Sequence, residues 1–133
     1  MRNISSVLGR LAKSISVSLV LLFAVTMTSN AQDAKEGAAL FKANCTSCHK
    51  IDKKMTGPAL AGMLDRHSEE WLLKWIKNSK ALVDAGDPAA VAVFEEYNKL
   101  LMPSFTQFSD DQIKGIIAYV KEEEVKAKEV AAA

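Results

Sequence analysis

The chain has 133 residues, 49% hydrophobic and 25% charged, with 17 basic side chains against 16 acidic ones. That length suits one small domain, and the near balance of charge argues against a nucleic-acid partner, which would call for a basic excess. With two cysteines and two histidines in all, the chain is poorly equipped to enclose a metal ion by its own ligands alone.

Residues 1–31 read as a cleaved secretory signal peptide. Arg2, Arg10 and Lys13 precede an apolar stretch from Ile15 to Met27. No acidic residue occurs before Asp33, and Ser29-Asn30-Ala31 supplies small residues for cleavage. A retained anchor is the alternative, but the run is short against the ~20 residues that a bilayer crossing takes. Cleavage after Ala31 would leave residues 32–133 as a single domain. It would also remove three of the 17 basic residues, so that 14 remain against 16 acidic ones, a net charge near −2. The mature domain is then expected in the periplasm, without stable membrane insertion.

Asp33-Ala34-Lys35-Glu36 is a capping-box-like helix start, and Gly37, Leu40 and Phe41 follow on one face. A glycine inside a helix costs roughly 1 kcal/mol against alanine, so Gly37 marks a place where another helix approaches closely. The helix leads into Cys45-Thr46-Ser47-Cys48-His49, which contains both cysteines of the chain. This spacing is the attachment signature of c-type haem. Each thiol can add across one haem vinyl group to form a thioether, and the adjacent imidazole is then delivered to the iron. Two rival uses of the pair are weaker. A redox dithiol needs a βαβ setting, and no strand pattern flanks the motif. A structural zinc ion needs about four ligands, and only His67 is left to offer beyond the pentapeptide.

Residues 50–66 look like a loop, with Thr56-Gly57-Pro58-Ala59-Leu60-Ala61-Gly62 at its centre. Ser68 then caps a helix through about Ser79, with Glu69 and Glu70 in the first turn, where acids favour the helix dipole. Trp71, Leu72 and Trp75 share its apolar face, and Ala81 to Gly86 reads as a connector. Asp87 and Pro88 mark the next start, proline being suited to the first helical position. Val93, Tyr97 and Leu100 continue at helical spacing up to a stop at Pro103. Ser109-Asp110-Asp111-Gln112 is a capping box, and Ile113, Ile116, Ile117 and Val120 form an apolar stripe. The charged, alanine-rich end, 124–133, is expected to fray. The fold class is therefore all-α, with four to five helices.

Taken in this order, the motifs resemble those of a class I bacterial cytochrome c across essentially all of the mature chain. Gly37 and Phe41 stand before the Cys45–His49 pentapeptide, then come Gly57-Pro58-Ala59-Leu60, Met102-Pro103 and a closing amphipathic helix. The resemblance implies the cytochrome c fold, with the first and last helices crossing around one covalently bound haem c. It implies that Cys45 and Cys48 hold the haem, that His49 is the proximal iron ligand, and that the Pro58 carbonyl accepts the other imidazole N–H. Met102 would be the distal ligand, with Pro103 stiffening its loop. Met55 and Met63 are rivals, but they follow the motif too closely to leave its proximal side. His67 reads as an exposed loop residue. Trp71 and Trp75 read as core, either one able to reach a haem propionate. Lys50, Lys53 and Lys54 border a partner surface or merely solubilise the loop. The stretch from Ala81 to Leu100 is extra to the shortest family members.

The implied function is that of an exported, monomeric electron carrier between redox protein donors and acceptors of the respiratory type, not an enzyme. A haem subunit of a membrane respiratory complex is the alternative. An enzyme or gas sensor would follow if Met102 did not ligate.

Overall fold

Helix starts lie where the sequence supplies caps, and they set the architecture. The computed structural model describes residues 34–133, so the expected signal peptide lies outside the described residues. Helix α1 covers 34–44, α2 Met63–Arg66, α3 Glu69–Asp84, α4 Pro88–Glu96 and α5 Asp110–Ala132. No strand occurs among the described residues. The Ser68 hydroxyl accepts the Trp71 N–H at 3.2 Å to start α3. Asp87 accepts the Ala90 N–H at 2.9 Å ahead of Pro88 to start α4. Ser109 and Gln112 satisfy each other's backbone N–H groups at 3.1 and 3.0 Å, a complete capping box for α5.

The α5 stripe forms the floor of the core: Ile113, Ile116, Ile117 and Val120 are all nearly inaccessible to solvent. Phe41 of α1, Leu72 and Ile76 of α3, and Phe105 and Phe108 from the segment before α5 pack with it. Helices α1 and α5 meet at Gly37. A Cβ there would fall 2.0 Å from the carbonyl carbon and oxygen of Gly115, so backbone touches backbone and only glycine fits. Phe41 lies beside this crossing, its ring 5.4 Å from that of Tyr119.

Four boundaries differ from the sequence expectation. The 50–66 loop ends in a short helix, α2, which buries Met63. Helix α3 passes Ser79 and continues to Asp84 across a kink at Asn78, whose backbone is extended at φ −158° and ψ 82°. The Asn78 side chain accepts the Ala81 N–H at 3.1 Å and so caps the helix anew after the break. Helix α4 ends at Glu96, well before Pro103. Asn98 and Lys99 adopt left-handed backbone, at φ 56° and 61°, and their N–H groups close on the carbonyls of Glu95 and Phe94. The C-terminal residues expected to fray are helical here: α5 runs on to Ala132, and Glu124 accepts the Gly62 N–H at 2.9 Å.

Candidate functional site

The pentapeptide continues α1 as a single turn. The Cys45 N–H donates to Phe41 O at 2.8 Å, and Cys45 O accepts from both Cys48 and His49 at 3.2 and 2.9 Å. Two thiols and an imidazole therefore leave one turn of backbone. The following loop folds back over them: the Gly57 N–H reaches Cys48 O at 2.9 Å, and Leu60 and Ala61 bond to Lys50 and Ile51. Arg66 holds the far side of this loop through the Ala61 and Ala59 carbonyls, at 2.9 and 3.0 Å.

His49 is fixed by this arrangement in two ways. Its Nδ1 lies 3.0 Å from the Pro58 carbonyl. A carbonyl only accepts, so Nδ1 carries the proton and Nε2 keeps its lone pair for a metal. Gly57 backbone lies close against the ring, where a Cβ would come within 2.4 Å of Cε1. The ring cannot swing toward the loop.

Cys45 and Cys48 are both free and half-buried. Burial, with a smaller contribution from Cys48, pushes the Cys45 thiol up to about 11. Reactive redox dithiols work the other way, by a lowered pKa.

Two adjoining cavities, of about 110 and 530 Å³, share walls made by Cys45, His49, Trp75, Val93, Tyr97 and Met102. The larger volume lies within the range of sites that hold drug-sized ligands, about 300–1,000 Å³. Cys48 opens onto the smaller one, and Leu72, Ile76, Ile116, Ile117 and Val120 line the larger. The residues expected from the sequence thus come together: Cys45, His49, Pro58 and Met102 line both cavities, although Met102 follows three intervening helices. Of the rival methionines, Met63 is buried core at the edge of the larger cavity, while Met55 is exposed and lines neither.

Several residues take places that the sequence did not assign them. Val93 and Tyr97 face the cleft from α4, so the stretch extra to the shortest family members supplies a wall. His67 is half-buried rather than exposed: its ring stacks on Trp71 at 4.1 Å, and Trp71 stacks on Trp75 at 5.2 Å. The Trp71 indole N–H is already given to Asp87 at 3.0 Å. Nothing in the spacing of these residues announces such a column. Ser79, fully buried, donates its hydroxyl to the Met102 carbonyl at 2.7 Å. A signal for it existed, since Asn78-Ser79 are poor helix formers inside an otherwise helical pattern.

Fold and site define a small helical protein that attaches a c-type haem. An apolar cleft runs through the core, two thiols and a pre-oriented imidazole leave one turn at its wall, and a thioether lines the same cleft. Haem c suits this donor set: thiols for the vinyl groups, soft and imidazole donors for iron, and apolar walls for the macrocycle.

Comparison with known proteins agrees. The profile of the family described as cytochrome c matches residues 34–123, and this chain belongs to that family, as a class I monohaem c-type cytochrome. The family's cofactor is covalently attached haem c, and Cys45 and Cys48 have its attachment spacing. A cytochrome c2 of Rhodopseudomonas palustris is 56% identical over 39 residues, 29% of this chain and 27% of that protein. The curated relatives are thus matched over less than a third of their own length. Among solved structures, a cytochrome c from Rhodothermus marinus superposes with a TM-score of 0.65 at 25% identity, over 72% of this chain and 80% of that one. The cytochrome c domain of a Pseudomonas putida protein gives 0.62 at 27% identity, covering 73% and 95% respectively.

Proposed function

We propose that residues 32–133 form an exported electron carrier in which Cys45 and Cys48 hold one haem c and His49 and Met102 are its axial ligands. The observation that carries this reading is that His49, from the turn after α1, and Met102, from the segment after α4, line the same two cavities as Cys45. When bound, the haem supplies a one-electron Fe(III)/Fe(II) couple.

The chain's own residues tune and protect that couple. Pro58 holds the imidazole by its Nδ1–H and makes Nε2 a better donor. The Met102 thioether, a soft ligand, favours the reduced state and raises the potential. Leu72, Ile76, Ile116 and Ile117 keep water from the cleft and disfavour the extra positive charge of ferric haem. With both axial positions filled, the function is electron transfer between redox protein partners and no substrate is transformed. Lys50 and Lys53 are exposed toward such partners, whereas Lys54 lies over the Tyr97 ring at 4.3 Å and beside Glu96. Export rests on the stretch from Ile15 to Met27, and the carrier acts in the periplasm as a monomer. Among the described residues no helix is long and apolar enough to cross a membrane.

An optical spectrum of the exported protein, oxidised and then reduced, tests the reading. A c-type reduced spectrum is expected, with the weak far-red sulfur-to-iron band in the ferric state and no response to carbon monoxide. Met102→Ala should lower the reduction potential, remove that band and open the ferrous haem to carbon monoxide. A Met102→Ala protein that kept both its potential and its indifference to carbon monoxide would take Met102 out of the site.

A further inference from the structure

Residues 101–105, which include Met102, have no helix or strand to hold them, and the neighbouring side chains Leu100 and Leu101 lie open to solvent. Their backbone is instead pinned to the kink in α3. The break at Asn78 frees two helical carbonyls, Ile76 O and Lys77 O, and both accept the Phe105 N–H at 3.2 and 3.1 Å. The Asn78 side-chain oxygen accepts the Ser104 hydroxyl at 3.2 Å. Ser79, next along and fully buried, donates to the carbonyl of Met102 itself at 2.7 Å. A buried serine inside a helix ordinarily bonds back to the carbonyl four residues earlier. Here the kink turns the hydroxyl outward to a segment far along the chain.

We propose that Ser79 is a positioning residue for the distal ligand: its buried hydroxyl anchors the Met102 backbone and so holds the thioether on the iron. This rests on the reading of Met102 as axial ligand. The Ser79–Met102 bond is the one link of the kink made to the ligand residue's own backbone, and its donor side chain is fully buried. Pro103 narrows the backbone freedom on the other side, because its ring fixes φ. Removing the hydroxyl leaves the part-buried Met102 carbonyl without that partner. The segment then relaxes toward solvent, and the ligand-free form of the haem becomes more populated.

Exogenous imidazole measures that population, because its apparent affinity for ferric haem scales with the fraction in which the thioether has let go. In the wild-type and Ser79→Ala holoproteins, the far-red band, the reduction potential and the imidazole dissociation constant are to be compared. Ser79→Ala should bind imidazole about tenfold more tightly, as expected for the loss of one buried hydrogen bond, with a weakened band and a lowered potential. Ser79→Cys keeps the volume but offers only a weak donor; it should fall between the two, and it reads the same bond if the alanine variant does not accumulate. A wild-type protein without the far-red band would sink the ligand reading itself. A wild-type protein with the band, and serine variants that match it in imidazole affinity and potential, would leave the ligand in place and overturn the role of Ser79. A loss of thermal stability with affinity and band unchanged would overturn it too, as a structural effect only.

Discussion

Asp87 joins three parts of the site through one carboxylate. It caps α4 through the Ala90 N–H and receives the Trp71 indole N–H, and Trp71 in turn stacks between His67 and Trp75. The Ala90 N–H, and then the indole, hold the Asp87 carboxyl below the usual carboxylate range. A depressed folded-state value gives stability that is present above the ordinary pKa, about 4, and is lost as pH falls through the folded one. Asp87→Asn is therefore expected to be less stable at neutral pH and to lose less on acidification. Circular dichroism followed from about pH 6 down to pH 2 checks this; acid-unfolding curves of identical steepness would contradict it. The cap was legible in Asp87-Pro88, because a cap and its target are three residues apart. The indole partner was not, because it lies across a turn from another helix. Gly57 is a similar case: its place before Pro58 suggested a loop, and only the folded loop shows that a side chain there would strike His49.

At the level of elements, the crossing of α1 and α5 is the most exacting contact. The glycine in α1 and the apolar stripe of α5 were readable separately, each by helical period, and they meet as the family resemblance implied. Their separation is set by Gly37 against the Gly115 carbonyl, with no room for a methyl group. Gly37→Ala should force the helices apart at a cost of about 3 kcal/mol or more, at the upper end for overpacking. The thermal midpoint of the holoprotein should fall by roughly 10 °C or more. A midpoint within a degree or two of wild type would mean that the crossing tolerates separation. Other element ends were misjudged for a shared reason. Helix α3 continues because Asn78 caps its own restart, and α4 stops because two left-handed residues close its carbonyls. In α5, Glu124 ties the second half of the helix to Gly62 across the molecule. Propensity alone does not register such bonds.

For the whole molecule, the cleft is too large to be a packing defect. It cuts into the core itself, its walls including Leu72, Ile76, Ile116, Ile117 and Val120, so an apolar body that fills it completes the packing. The fold and its haem are therefore expected to behave as one cooperative unit. The mature chain produced without haem attachment should show a weakened helical signal and no cooperative thermal transition. A haem-free chain that melted sharply would show instead that the helices support themselves.

What the sequence by itself determined is local: a haem-attachment pentapeptide, the residues that start each helix, and the apolar faces that must be buried. Those signals act between residues one to seven positions apart, where backbone geometry alone relates them. What the tertiary structure decided is the set of contacts between distant segments. The walls contributed by α4, the backbone lying on His49 and the serine that reaches Met102 exist only once helices have packed. Their energies come from burial and from hydrogen bonds closed across the core, for which no local spacing is a substitute.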